Sequence, residues 1–225
     1  MFDFLSNYDD PSLLGAFWVT VQLTVFSAIG SLIWGTLLAA MRVSPVPLMR
    51  GFGTAYVNIV RNIPLTVIIV FTSLGLADIF GVTMGAADDF DVKYFRLAVL
   101  GLVAYTAAFV CEAIRSGINT VPVGQAEAAR AIGLSFSQVL RLVVLPQAFR
   151  SVIGPLANVL IALTKNTTVA ATIGVAEAAL LMKEMIENEA QVLLIGGIFA
   201  FGFVVLTLPT GLFLNWLSKR LAVKR

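Results

Sequence analysis

No histidine occurs in the 225 residues, so the chain offers no imidazole base and no histidine-ligated metal. The one cysteine, Cys111, cannot close an internal disulfide, and its apolar neighbours suit a small buried side chain. Charge is scarce. Only 12% of residues are charged and 59% are hydrophobic, with mean hydropathy +0.93. A typical soluble domain carries about 25% charged residues. The shortage excludes that class and predicts a single-domain, all-α integral membrane protein spanning 1–225. There is no Gly-x4-Gly-Lys-[Ser/Thr], and none of the five lysines follows a glycine, so this chain cannot cradle ATP phosphates in a P-loop. Internal repeats and low-complexity segments are also missing. The acidic start, MFDFLSNYDDPSLLG, lacks the basic region of a signal peptide, so the apolar run behind it is expected to be retained.

What is present is hydrophobic length. Runs of roughly 20 apolar residues are needed to cross a bilayer. Five are expected, at about 12–41, 52–76, 95–116, 147–164 and 190–217. Lysine and arginine concentrate on the cytoplasmic side of membrane proteins. With the N-terminus outside and the C-terminus cytoplasmic, ten of the basic residues fall inside, four outside, and Arg61 in the membrane. Gly81–Lys93 then reads as an external loop. Thr172–Ala190 reads as an external helix, too charged to cross, with Leu181, Met185 and Ile186 on one apolar face.

The same orientation makes residues 119–146 a cytoplasmic loop of two short helices. Pro122 and Gly124 open the first, and Gly133 closes it in a left-handed conformation. Ser135-Phe136-Ser137-Gln138 fits a capping box that starts the second. Pro146 is expected to end or kink it. Alanines 126, 128, 129 and 131 keep the first helix slim, and Glu127 and Arg130 pair along it. Such a hairpin fits either insertion into a partner's cleft or a position lying on lipid headgroups.

The loop resembles the EAA motif of ABC importer permeases, E-A-A-x3-G-x9-I-x-L-P. Here it reads Glu127-Ala128-Ala129, Gly133, Val143 in place of the usual isoleucine, then Leu145-Pro146. The likeness continues through GAFWVTVQLTVFSAIGSLIWGTLLAAMR, RNIPLTVIIVF, YTAAFVCEAIRSGINTVPVGQAEAARAIG and LPQAFRSVIGPLANVLIALTKNTTV. In the second of these, Asn62 and Ile63 replace the family's Gly and Thr. Together these segments resemble the permeases for histidine, glutamate, glutamine and arginine. The resemblance implies a five-span type I ABC importer core in the bacterial cytoplasmic membrane, translocating a polar amino acid. It implies that Gln125, Glu127, Ala128, Ala129, Gly133, Leu145 and Pro146 form the joint with an ABC ATPase dimer. ATP and magnesium would sit on those ATPases, and this chain would bind no cofactor. A second permease, related or identical, and an extracytoplasmic substrate-binding protein would complete the assembly. No nucleic-acid partner is expected.

Polar groups inside a membrane are costly and point to function. Asn58, Arg61 and Asn62 are spaced to share one helix face. They fit a substrate path, or Arg61 fits a structural arginine bonded to carbonyls loosened by Pro64. Pro155 is expected to break the fourth span, with Asn158, Ile161 and Ala162 on one face beyond it. That face fits a substrate pocket, or Asn158 fits a bond across to another helix. Glu112 and Arg115 suit an ion pair at the membrane border. Gly30, Gly35, Ser27 and Ser31 suit close helix packing. A secondary transporter or channel would need buried acids or histidine for ion coupling. A non-transporting scaffold would have no need of Arg61 or Asn158.

Overall fold

The computed structural model describes residues 12–221. The acidic start and the terminal Lys224 and Arg225, counted in the charge asymmetry, lie outside the described residues. Among those described, no strand occurs and helix follows helix. Four helices are long and apolar enough to cross a membrane, and a bent helix pair makes a possible fifth crossing.

Ser12 starts α1 (Leu13–Val43) by accepting a hydrogen bond from the Gly15 amide at 3.1 Å. One stripe of α1 is buried, from Ala16 and Thr20 through Leu23, Ser27 and Ser31 to Gly35 and Leu38. The three- and four-residue spacing puts these on one face. That face packs along α4 (Phe90–Asn119), the most enclosed of the crossing helices. A Cβ on Gly35 would stand 2.6 Å from the Val110 Cβ and 2.8 Å from the Ala107 carbonyl oxygen. Only glycine allows this approach. The third crossing begins before the expected 95, because Asp89 caps α4 by accepting from the Val92 amide at 2.9 Å.

The second crossing departs from expectation. α2 (Pro47–Asn62) ends after Arg61 and Asn62, and α3 (Leu65–Val70) leaves it at 107°. A π-helical stretch, Phe71–Ile79, continues α3. Pro64 lacks an amide proton and drives Ile63 into extended backbone, φ −95° and ψ 132°. Asn58, Arg61 and Asn62 therefore do not lie on a continuous span. They sit at the end of an amphipathic helix that packs on α1 and α4.

Two other prolines behave differently from Pro64. Pro155 lies within α7 (Leu145–Asn166) without interrupting it. Pro146 does not end its helix either. A single rod runs from Phe136 to Ile173. It starts as α6 (Phe136–Val139), widens into a π-helical turn at Leu140–Val144, and continues as α7. The wider turn falls where the proline ring would crowd the carbonyl four residues earlier.

Beyond α7, a 3₁₀ segment, Thr167–Ile173, leads to α8 (Ala178–Glu189). Ala178, Leu181 and Met185 of α8 are buried with Ala16, Ile195 and Phe199. α9 (Val192–Leu221) closes the chain and is the least enclosed crossing helix. Phe17 of α1 meets it, stacking on Phe199 at 5.7 Å and edge-on to Phe203 at 5.5 Å.

Candidate functional site

Where α4 gives way to α7, a helical hairpin projects from the bundle. α5 (Val123–Ala131) forms its first arm, and Gly133, at φ +92°, makes the turn. Glycine takes this conformation without strain. The capping box predicted at the second arm is present. The Gln138 amide reaches Ser135 Oγ at 3.4 Å, and the Ser135 amide donates to Gln138 Oε1 at 2.9 Å. Of the residues expected at a joint, Gln125, Glu127, Ala128, Gly133, Leu145 and Pro146 are exposed. Ala129 is not. At 6% exposure it belongs to the hairpin's own interior.

Three apolar side chains missed in the sequence reading are uncovered on the hairpin. Val123, Ile132 and Phe136 are 72%, 81% and 72% exposed. Burying one such side chain stabilises by roughly 1.5–3 kcal/mol. Their signal in the sequence was a large apolar residue at each edge of the alanine-rich arm.

Behind the hairpin, α4 and α7 line a half-open cavity of about 390 Å³. Tyr105, Thr106 and Phe109 line it from α4, and Asn158, Ala162 and Asn166 from α7. The Thr106 hydroxyl is buried and without a hydrogen-bond partner. Among the described residues Asn158 makes no side-chain hydrogen bond, so it does not bond across to another helix of the chain. Ile161 departs from the expected face. Its Cδ1 lies 3.2 Å from where a Cβ on Gly211 would be, so it packs on α9. Asn62 is also turned away, donating to the Asn58 carbonyl at 2.6 Å.

Arg61 stands beside this cavity rather than in it. Its guanidinium lies 5.8 Å from the Phe109 ring centroid and 3.7 Å from the Glu112 carboxylate. It is therefore held by a carboxylate and a ring, not by carbonyls freed at Pro64. Glu112 also binds Arg42 of α1, and lies 3.6 Å from Arg115. One carboxylate thus joins α1, α2 and α4, where the sequence had suggested only the Glu112–Arg115 pair.

Apolar crossing helices, a broken crossing beside a mostly apolar cavity that carries Asn158 and Asn166, and a projecting hairpin with uncovered apolar side chains define a polytopic membrane protein. The family model described as "Binding-protein-dependent transport system inner membrane component" matches residues 31–223, and the chain belongs to that family. It is a permease subunit of an ABC transporter, not the ATP-hydrolysing component. It is 58% identical over 219 residues to the glutamate transport system permease protein GluC of Corynebacterium efficiens, covering 96% of each chain. It is 34% identical over 224 residues to the probable glutamine ABC transporter permease protein GlnM of Bacillus subtilis, covering 98% of this chain and 96% of that one. Among solved structures, an amino acid ABC transporter crystallised with histidines superposes with a TM-score of 0.85 at 26% identity, covering 97% of this chain and 98% of that chain.

Proposed function

We propose that the chain is the membrane-spanning part of an ATP-driven importer for glutamate or a closely related polar amino acid. The observation that carries the coupling is the hairpin: a defined turn at Gly133, an exposed Glu127-Ala128 face, and uncovered Val123, Ile132 and Phe136. An ATPase groove covers that tip, and an ATPase dimer holds the ATP and magnesium. The relatives named for glutamate and glutamine support the substrate class.

The basic residues clustered at the hairpin end support an N-out, C-in orientation in the bacterial cytoplasmic membrane, with the hairpin in the cytoplasm. A second permease, identical or related, encloses the path. An extracytoplasmic binding protein delivers substrate to the α8 end. Within the chain, Asn158, Ala162 and the free Thr106 hydroxyl offer the polar and small surfaces for an amino acid, with Arg61 at the edge. Closure of the ATPases pushes the hairpin and rocks α4 and α7 around the cavity.

The test is ATP-dependent amino-acid uptake by proteoliposomes holding this chain, its partner permease, the ATPase and the binding protein. Gly133→Asp strains a backbone at φ +92° and puts a carboxylate at the joint. Loss of uptake together with loss of ATPase co-purification is expected. Uptake that ignores ATP and survives the substitution would return the reading to a stand-alone secondary transporter.

A further inference from the structure

We infer that Gln147 is a positioning residue that makes the hairpin and the cavity-lining helix α7 move as one body, through a brace to Gln125. This rests on the coupling role proposed for the hairpin. The hairpin has two arms joined at a single corner. α5 buries only Ala129. It joins the second arm through Ile132–Ser135, where Gly133 sets the turn. Nine residues of α5 span about 13 Å, so a small rotation at the corner swings the far end by several ångströms. A push on such an arm would be spent in the corner before reaching α7.

The open end is closed by side chains. Gln147 Nε2 donates to Gln125 Oε1 at 2.5 Å and to the Val143 carbonyl at 2.9 Å. Both amide protons of one side chain are thereby used. One ties the start of α5, and the other ties the π-helical turn on which Gln147 stands. That turn exists where Pro146 disturbs the regular ladder, and an amide spanning it stiffens the spot that would otherwise yield. Corner and brace together turn two hinged arms into a triangle. From Gln147 the rod continues without a break through Asn158 and Ala162 at the cavity. Among the described residues, no other side-chain hydrogen bond joins α5 to α7.

A brace of this kind carries a distinct signature. Removing it from the Gln147 side leaves the docking surface and the cavity untouched but separates their motions. The experiment measures amino acid imported per ATP hydrolysed, with ATPase co-purification, in the reconstituted complex. Gln147→Ala, Gln125→Ala and the double variant are compared with wild type. Gln147→Ala should retain the ATPase and its hydrolysis while import per ATP falls roughly tenfold, within the usual range of coupling between sites, and Gln125→Ala, which also alters the joint, should lower import per ATP hydrolysed by the same factor. The double variant should fall no further than either single one, because both remove the same bond. Gln125→Glu with Gln147→Lys rebuilds the link as a charged pair and should recover import per ATP.

Wild-type import per ATP in Gln147→Ala overturns the proposal, as do losses that multiply in the double variant. A defect that lowers import and hydrolysis in proportion also overturns it, because that marks damaged assembly rather than lost coupling. If Gly133→Asp keeps its ATPase, the coupling role itself fails. If Gly133→Asp loses the ATPase and Gln147→Ala imports normally, only the brace fails.

Discussion

Each end of the bundle carries a short helix that does not cross, and the two are finished differently. α8 buries Ala178, Leu181 and Met185 against α1 and α9, and its first turn is capped by Glu177, which is fully buried. α5 buries Ala129 alone and lies beside uncovered Val123, Ile132 and Phe136. The chain completes the α8 end with its own side chains. It leaves the α5 end incomplete, with apolar surface that a monomer has no reason to display. An isolated amphipathic helix of about ten residues is unstable in water, so each must be stabilised by what covers it. For α8 that cover is α1 and α9. For α5 it must come from elsewhere.

The contrast is broken most directly at Glu177. Its Oε1 accepts from the amides of Ala179 at 2.8 Å and Leu180 at 3.1 Å, and Thr20 donates to Oε2 at 3.2 Å. Glu177→Ala strands two part-buried donors and removes a helix cap, costing about 3–4 kcal/mol. Glu127→Ala, an equal truncation on exposed α5, should stay within about 0.5 kcal/mol. Thermal unfolding of the purified chain in detergent measures both. Equal losses would show that the two ends are not differently finished.

A smaller effect should appear with pH. Burial lifts the Glu177 carboxyl from 4.5 to about 7, against the opposing hydrogen bonds from Ala179, Leu180 and Thr20. α1 faces it with Thr20, and Thr167–Ile173 and the start of α9 bring no titratable group. Lys183, Glu184, Glu187 and Glu189 are further along α8, with Lys183 and Glu187 paired at 3.8 Å on its outer side. The folded state therefore holds the proton more tightly than the unfolded chain. The resulting stability is fully present below about pH 4.5 and is lost as pH rises through 7. The change is on the order of 3 kcal/mol. Glu177→Gln should flatten this slope. A slope that survives the substitution would assign the titration to another group.

These two regions also differ in how much of them could be read in advance. The hairpin is local: Gly133, the Ser135–Gln138 box and the alanine arm lie within a few residues, and all took the expected form. The apolar face of α8 was equally legible, because Leu181 and Met185 are one turn apart. The Thr20–Glu177 bond between α1 and the start of α8 joins residues 157 positions apart, and no short window contains it. The prolines show the same limit. Pro64 broke a crossing, Pro155 left one intact and Pro146 was absorbed by a π-helical turn. A proline removes one donor in every case. Whether the helix then bends depends on its neighbours, and at Pro64 polar α2 meets apolar α3, which seek different surroundings. The Glu112 cluster was only half legible. The partner at i+3 was visible, whereas Arg42 and Arg61 come from other helices. Asn158 and Ala162 share the cavity as spacing suggested, yet Ile161 faces α9, because the direction of a wide apolar face is decided by what packs on it.

The smallest effect on the chain itself should come from Phe136→Ser. At 72% exposure the ring touches little of its own bundle, and the change should move the unfolding temperature of the free chain by no more than surface substitutions do, about 0.5 kcal/mol. The same substitution removes an apolar group whose burial under a partner is worth about 2 kcal/mol, equivalent to roughly 30-fold in affinity. Retention of the ATPase by the immobilised permease should therefore fall while the permease stays folded. A large drop in stability would mean that Phe136 packs within the chain and that the hairpin is finished after all. Full ATPase retention with weakened binding to lipid vesicles would instead lay the hairpin on the headgroups. Only the first pattern leaves the two ends of the bundle as different as their exposed surfaces make them.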